Sequence, residues 1–264
     1  MKKMEYNNLF LILSHFFVFT SFVLVLDWVT GGSRENNLGG LYPINMSDEQ
    51  SKSYQYVFNW HPVMMVTGML FCVIEAILSF QTFHSFKHFQ IYGIRFPKLL
   101  HFIWQTFAII CMIVGLIAVF DSHNYPVNGK YKANLYSLHS WIGIFTISLY
   151  TAQYFFSIVT FFSSYEEQKR EILPYHIYFG ISLLLLITMA IETGIQEKST
   201  LSLNCAINYP TDVENGGGYW DLPLVCKKAN WLGITTICSV LFTGLTLYNK
   251  KQPTTLLNER LVLN

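Results

Sequence analysis

The sequence predicts an all-α polytopic membrane protein: six transmembrane helices with a central four-helix bundle. Three observations carry that prediction. Only 12% of the 264 residues are charged, while 52% are hydrophobic and 17% aromatic; a soluble domain carries about a quarter charged residues. Six separate stretches approach the roughly 20 apolar residues that a hydrocarbon layer requires. These stretches are rich in Phe, Ile, Leu, Met and Gly and do not alternate polar with apolar over about ten residues, which separates them from barrel strands.

In chain order the stretches cover about 9–29, 57–80, 99–120, 138–163, 174–195 and 229–248. The first follows Met1-Lys2-Lys3 and has the look of a signal peptide. No small-residue cleavage site of the usual kind precedes Gly31-Gly32, and the stretch is long, so an uncleaved helix is expected. The fourth follows Ser137, a residue type suited to capping a helix. The sixth ends at the polar tail opened by Lys250-Lys251. No internal repeat or low-complexity tract appears, and one membrane domain is expected to use residues 1–264, with its core at about 57–198.

A net charge of +1 argues against a nucleic-acid partner, because phosphate binders gather Lys and Arg on one face. Lys and Arg near helix ends favour the cytoplasm. The 81–98 connection holds Lys87, Arg95 and Lys98 and no acid; Lys2, Lys3, Lys169, Arg170, Lys250 and Lys251 fall on the same side of a six-helix arrangement. Both termini are therefore expected in the cytoplasm. Asn45-Met46-Ser47 is a glycosylation acceptor in a loop assigned to the opposite side. Cys205 and Cys226 are the cysteines outside the expected helices, share the outer 196–228 loop, and are expected to form a disulfide in an oxidising compartment. Cys72, Cys111 and Cys238 read as small packing residues.

Four histidines stand near the start of four different stretches: His61, His101, His139 and His176. A histidine within a bilayer is expensive and usually functional. With alternating helix directions, His61 and His139 meet near the outer face and His101 and His176 near the inner one. Each is expected within the first turn or two of its helix, a depth that suits a porphyrin ring in hydrocarbon. Two imidazoles fill both axial positions of a haem iron, which confines its chemistry to electron transfer. Gly143 and Gly180 follow ligand candidates by four residues and Gly68 follows His61 by seven, spacings that return to the same helix face and leave room for a flat ring. Singly, each histidine reads as an interfacial residue bonded to a carbonyl; four at matched depths, in two same-side pairs, favour ligands. His15 reads as packed or interfacial, His84 and His88 as solvated, and His123 as part of the outer 121–137 loop beside Asn124.

At these residues the chain resembles the cytochrome b561 family of animal transmembrane ascorbate-dependent reductases, of the duodenal and lysosomal type. The likeness runs over about 57–198. It includes Phe58-Asn59-Trp60-His61-Pro62 with Met65, Glu75-Ala76-Ile77-Leu78, Lys98-Leu99-Leu100-His101, and Gly115-Leu116-Ile117-Ala118-Val119-Phe120 before His123-Asn124. Asn134-Leu135-Tyr136-Ser137-Leu138-His139-Ser140-Trp141-Ile142-Gly143 with Gln153 is the strongest stretch, followed by Pro174-Tyr175-His176 with Gly180 and by Gly194-Ile195-Gln196-Glu197-Lys198. The resemblance implies two haem b groups, held by His61 with His139 and by His101 with His176, which agrees with the pairing from helix direction. It also implies a homodimer, cytoplasmic ascorbate as electron donor, and an outer acceptor that is a ferric chelate in some members and monodehydroascorbate in others. The host membrane is expected to be the plasma membrane or that of an endosome, lysosome or secretory vesicle.

A donor anion needs cations near the inner pair: Lys98, with Arg95, Lys169 and Arg170, is expected to supply them, although ordinary positive-inside charge explains the same residues. At the outer side His123, Asn124, Asn134, Tyr136 and Ser137 surround the acceptor position. Imidazole and amide oxygen suit a ferric chelate, and the same groups suit an ascorbyl radical. Three positions depart from the family pattern: Gln81 where an arginine is usual, Ile94 for a lysine, and Gln105 for a second histidine. They thin the inner positive site without removing a ligand. A reading of another class, a non-redox transporter or receptor with proton- or metal-binding histidines, accounts for hydropathy and charge equally well but not for paired ligands beside glycines.

Overall fold

The computed structural model describes residues 2–32, 37–42, 53–124, 131–163, 165–203, 205 and 222–250. Among them seven α-helices are formed: α1 Lys2–Thr30, α2 Ser53–Met65, α3 Val73–Thr82, α4 Phe96–Asn124, α5 Leu138–Phe161, α6 Glu166–Leu201 and α7 Leu224–Lys250. The π-helical stretch Val66–Cys72 joins α2 to α3 in one continuous rod. Six apolar helices of membrane-crossing length result, at Asn8–Thr30, Tyr56–Thr82, Phe96–Asn124, Leu138–Phe161, Glu166–Leu201 and Leu224–Tyr248. The protein is a polytopic all-α membrane protein.

The α2–α3 rod is the central element. Its most apolar window is 61% buried, against 11–39% for the other spans. The rod packs along α4, α5 packs along α6, and α6 reaches the rod through the π-helical stretch, while α4 and α5 touch only briefly. Leu70, Ile74 and Leu78 of the rod, Ile187 of α6 and Leu232 of α7 are buried in the shared core. The opposite faces expose residues such as Phe107, Ile110, Phe156 and Ile237, as expected where the solvent is hydrocarbon.

Helix α1 lies along α7, and hydroxyl groups join them: Ser21 Oγ donates to Thr235 Oγ1 at 3.0 Å, and Ser14 and Thr246 lie 3.3 Å apart. Such bonds between membrane helices contribute about 0.6 kcal/mol each. At the end of α1, Trp28 Nε1 donates to the Val225 carbonyl and Lys228 pairs with Asp27 at 2.8 Å. Cys205 and Cys226 form the expected disulfide, with Cα atoms 5.9 Å apart, tying the region after α6 to the start of α7.

Several expectations are corrected. The fifth span begins at Glu166 rather than 174, and Pro174 lies inside α6. Proline removes the single bond to the Arg170 carbonyl, which the flanking turns tolerate. His176 therefore lies about three turns into its helix rather than one or two. Helix α4 continues to Asn124, so His123 and Asn124 occupy its last turn and not a loop. His15, expected to be packed or interfacial, is part-buried and in addition bonds to Glu75. The connection between α3 and α4 contains a short antiparallel hairpin, β1 Gln90–Ile91 with β2 Ile94–Arg95, turning at Tyr92 (φ 50°) and Gly93 (φ 75°). Two successive positive φ angles are those of a tight hairpin turn, which glycine favours. Asn45 and Lys251 lie outside the described residues, as do the side chains of Lys2, Lys3 and Lys250.

Candidate functional site

Four helices bring the four histidines together in two couples. The His61 ring faces His139 with centroids 6.1 Å apart and planes at 81°. His101 faces His176 at 6.2 Å and 70°. Backbone carbonyls orient three of the rings: His61 Nδ1 donates to Gly115 at 3.0 Å, His139 Nδ1 to Ala190 at 2.8 Å, and His101 Nδ1 to Ala76 at 2.8 Å. His176 Nδ1 lies 3.1 Å from Ser157 Oγ. A carbonyl can only accept, so Nδ1 carries the proton in those three rings and Nε2 keeps its lone pair for a metal.

The same bonds measure the distance between the couples. His101 and Gly115 are fourteen residues apart on α4, as are His176 and Ala190 on α6, which is about 21 Å of helix. The couples thus occupy opposite ends of one bundle. Among the described residues, no three His, Cys, Asp or Glu side chains converge on a common point; the histidines meet as pairs.

A cavity of about 380 Å³ opens at the His61–His139 end, lined by both rings, by Gly143 and by apolar side chains including Met65, Phe120 and Ile187. A Cβ added at Gly143 would meet nothing within 4 Å, and one at Gly180 only the Gln153 side chain at 3.4 Å, so both leave the expected space. Gly68 does not: a Cβ there would stand 2.6 Å from Cys111 Cβ and 3.0 Å from the Ala108 carbonyl. Its role is close packing of the rod on α4, not room for a flat ring.

At the cavity mouth the structure assembles the expected polar groups. His123 Nδ1 donates to Asn134 Oδ1 at 3.1 Å, and Asn134 Nδ2 donates to Asn124 Oδ1 at 2.8 Å. Leu135 takes φ 53°, a left-handed conformation that non-glycine residues rarely adopt, between Asn134 and Tyr136. Tyr136 donates its hydroxyl to Glu197 Oε1 at 2.7 Å; burial first, then this bond and the carboxylate charge, push its pKa up to about 12. Ser137 caps α5 by accepting from Ser140 N at 3.2 Å.

Four residues that sequence reasoning did not assign also belong here. Glu197 Oε2 is buried without a hydrogen-bond partner among the described residues. Lys198 and Lys132 lie 4.4 and 6.0 Å from the centroid of the Phe58 ring. That ring also stacks on His123, with planes at 4° and centroids 6.3 Å apart. Glu197-Lys198 and Phe58 stood in the motifs quoted above; Lys132 carried no sequence signal.

At the other end, Lys98 lies within electrostatic range of Lys169 and Arg95, so three of the four expected cations do converge. Two are already engaged. Lys98 Nζ donates to the Phe161 carbonyl at 2.6 Å, closing the end of α5, and sits 4.8 Å above the Phe162 ring. Lys169 pairs with Glu166 at 2.6 Å, an acid the charge pattern had not flagged. Arg170 and Arg95 are exposed. Of the departures, Gln105 accepts a hydrogen bond from the Tyr150 hydroxyl.

Fold and site together define a multi-pass helical membrane protein with two pairs of facing histidine rings at opposite ends of its bundle. Residues 60–202 match the family model for eukaryotic cytochrome b561. The chain belongs to the cytochrome b561 family. It is 40% identical over 151 residues to a human (Homo sapiens) lysosomal membrane ascorbate-dependent ferrireductase, covering 56% of this chain and 59% of that protein. It is 38% identical over 146 residues to a probable ascorbate-specific transmembrane electron transporter of Oryza sativa subsp. japonica, covering 54% and 58%, and 34% identical over 154 residues to a putative transmembrane ascorbate-dependent reductase homolog of Caenorhabditis elegans, covering 56% of each. The chain spans between 56% and 59% of the length of these three relatives.

Membership implies haem b, and the residues fit it. Two metal–nitrogen bonds of about 2 Å put facing ring centres about 6 Å apart, as in both couples. At the His61–His139 couple the carbonyl-anchored Nδ1 atoms, the open space at Gly143 and the apolar cavity walls suit a flat ring; at the other couple His101 Nδ1 is anchored by a carbonyl and Gly180 leaves space.

Proposed function

We propose that this chain carries single electrons across a membrane, from cytoplasmic ascorbate to an outer or luminal acceptor, with two haem b groups held by His61 with His139 and by His101 with His176. The observation that carries the reading is the pair of imidazole couples at 6.1 and 6.2 Å, set about 21 Å apart along the same helices. A haem held by either couple would supply one-electron ferric–ferrous chemistry there. The chain's own residues hold three of the four imidazoles in one tautomer, keep water from the ring with apolar walls, and select the partners at each end.

Lys98, Arg95, Lys169 and Arg170 draw the ascorbate anion to the His101 end, with Glu166 moderating their charge. At the other end a ferric chelate docks against His123, held among Asn124, Asn134, Tyr136 and Ser137, with Lys132 and Lys198 favouring an anionic chelate. Monodehydroascorbate is the second acceptor this site supports, because its amide, phenol and ammonium donors match an oxygen-rich anion as well. A non-redox transporter gives no reason for facing imidazoles anchored through Nδ1.

The lysine-rich connections support a cytoplasmic place for the His101 end and both termini. The lysosomal relative supports an endosomal or lysosomal host membrane. Assembly as a homodimer, glycosylation at Asn45 and use of 1–264 as one domain complete the reading. The test is stopped-flow reoxidation of ascorbate-reduced protein by ferric citrate and by monodehydroascorbate, with His123→Ala alongside. Faster reoxidation by the ferric chelate, lost in the variant, is expected. Folded protein without haem absorption would sink the proposal.

A further inference from the structure

His15 comes from α1 and meets two partners on α3 at once. Its Nδ1 lies 2.8 Å from Glu75 Oε1, and its Nε2 lies 2.9 Å from Thr82 Oγ1. Glu75 and Thr82 are seven residues apart, two turns along one helix face, so the imidazole bridges them. Thr82 is exposed at the end of α3, whereas the Glu75 side chain is 17% exposed within the span. A carboxyl group at that depth is expensive and usually functional.

Glu75 also neighbours the His101–His176 site. The next residue, Ala76, supplies the carbonyl that orients His101, and Phe80, one turn on, contacts the His101 ring at 5.4 Å between centroids. The surrounding elements offer little other charge. Residues 8–26, 99–120 and 229–248, the apolar lengths of α1, α4 and α7 packed against α3, contain no Asp, Glu, Lys or Arg. The titratable groups they present are His15 from α1, His101 and Cys111 from α4, and Cys238 and Tyr248 from α7, with Cys72 on the rod itself within electrostatic range of Glu75.

We propose that Thr82, His15 and Glu75 form a proton path from the cytoplasmic surface into the membrane, and that Glu75 takes up a proton when the neighbouring His101–His176 site gains an electron. The proposal rests on the electron-transfer reading above. An added electron in a low-dielectric interior raises the benefit of a nearby proton. The step balances: the N–H bond at His15 Nδ1 breaks as the O–H bond at Glu75 Oε1 forms, His15 Nε2 takes the Thr82 hydroxyl proton, and Thr82 takes one from water. The electron comes from ascorbate. When it moves on, the proton returns by the same route and the original tautomer is restored.

The test is a spectroelectrochemical titration of the purified full-length protein at a series of pH values. The His101–His176 component is assigned by its absence in His101→Ala. In the wild type its midpoint potential should fall as pH rises; Glu75→Gln and His15→Phe should each flatten that slope while both haem components remain. Thr82→Val should slow dye-detected proton uptake on reduction. A slope unchanged in the variants, or absent in the wild type, overturns the path and leaves electron transfer standing. Fewer than two haem components in the wild type overturns both readings. If His15→Phe fails to fold, Glu75→Gln decides alone, since a neutral amide keeps the size and one hydrogen bond of the carboxylate.

Discussion

Gly194 lies so close to His139 that a Cβ added to it would stand 2.7 Å from the ring's Cε1 and 2.9 Å from Nδ1. Ala190, whose carbonyl accepts from His139 Nδ1, is four residues earlier on the same helix and therefore on the same face. One turn of α6 thus both anchors the imidazole and abuts it. The glycine is required by this approach; no neighbouring flexible tip can yield, because the obstacle is the ring itself.

Replacing Gly194 should therefore displace His139 without touching its chemistry. Gly194→Val is expected to remove about half the haem from purified protein, and Gly194→Ala to remove less. Haem-to-protein ratios by pyridine haemochrome check this, with the His101–His176 component as internal control. Full occupancy in the valine variant would mean that His139 holds no iron.

The pairing makes a stricter prediction. His61→Ala and His139→Ala should lose the same spectral component, one haem per chain, and His101→Ala and His176→Ala should lose the other. Low-temperature absorption spectra of the four variants distinguish the components. Different components missing within one couple would refute the facing geometry.

Lys98 has two separable tasks. Its ammonium closes α5 at the Phe161 carbonyl and contributes to the cation cluster. Lys98→Ala is expected to slow reduction by ascorbate about tenfold, the scale of one lost charged contact of about 1.4 kcal/mol, and to leave reduction by a neutral hydroquinone unchanged. Lys98→Arg should restore most of the ascorbate rate. Equal slowing with both reductants would show that only the helix end matters.

The Cys205–Cys226 bridge constrains the unfolded chain. Cys226→Ser is expected to lower stability by about 3 kcal/mol, with retained haem content at low temperature. Thermal loss of the haem absorption band, compared with and without reductant on the wild type, measures it. Equal midpoints would show that α1–α7 packing alone secures this end.

Much was legible in the sequence because it depends on local properties. Six spans follow from hydropathy over windows of bilayer length, and the pairing of His61 with His139 and His101 with His176 follows from alternating direction. The cysteine pair follows from both cysteines sharing one loop. Less local features were not legible. Pro174 reads as a boundary because proline disfavours helix interiors, yet α6 continues through it. Gly68 stands seven residues after His61 and Gly194 eighteen after His176; only packing shows that the first meets Cys111 and the second meets His139.

The sequence by itself determined an apolar six-helix chain with two same-side histidine couples, because burial in hydrocarbon and helix direction are written residue by residue. The tertiary structure decided which carbonyl holds each imidazole, which glycine touches a ring, and that His15 reaches Glu75 across 60 positions of chain. Those contacts depend on the rotation and approach of packed helices, which the spacing along one helix leaves open and only the meeting of two surfaces resolves.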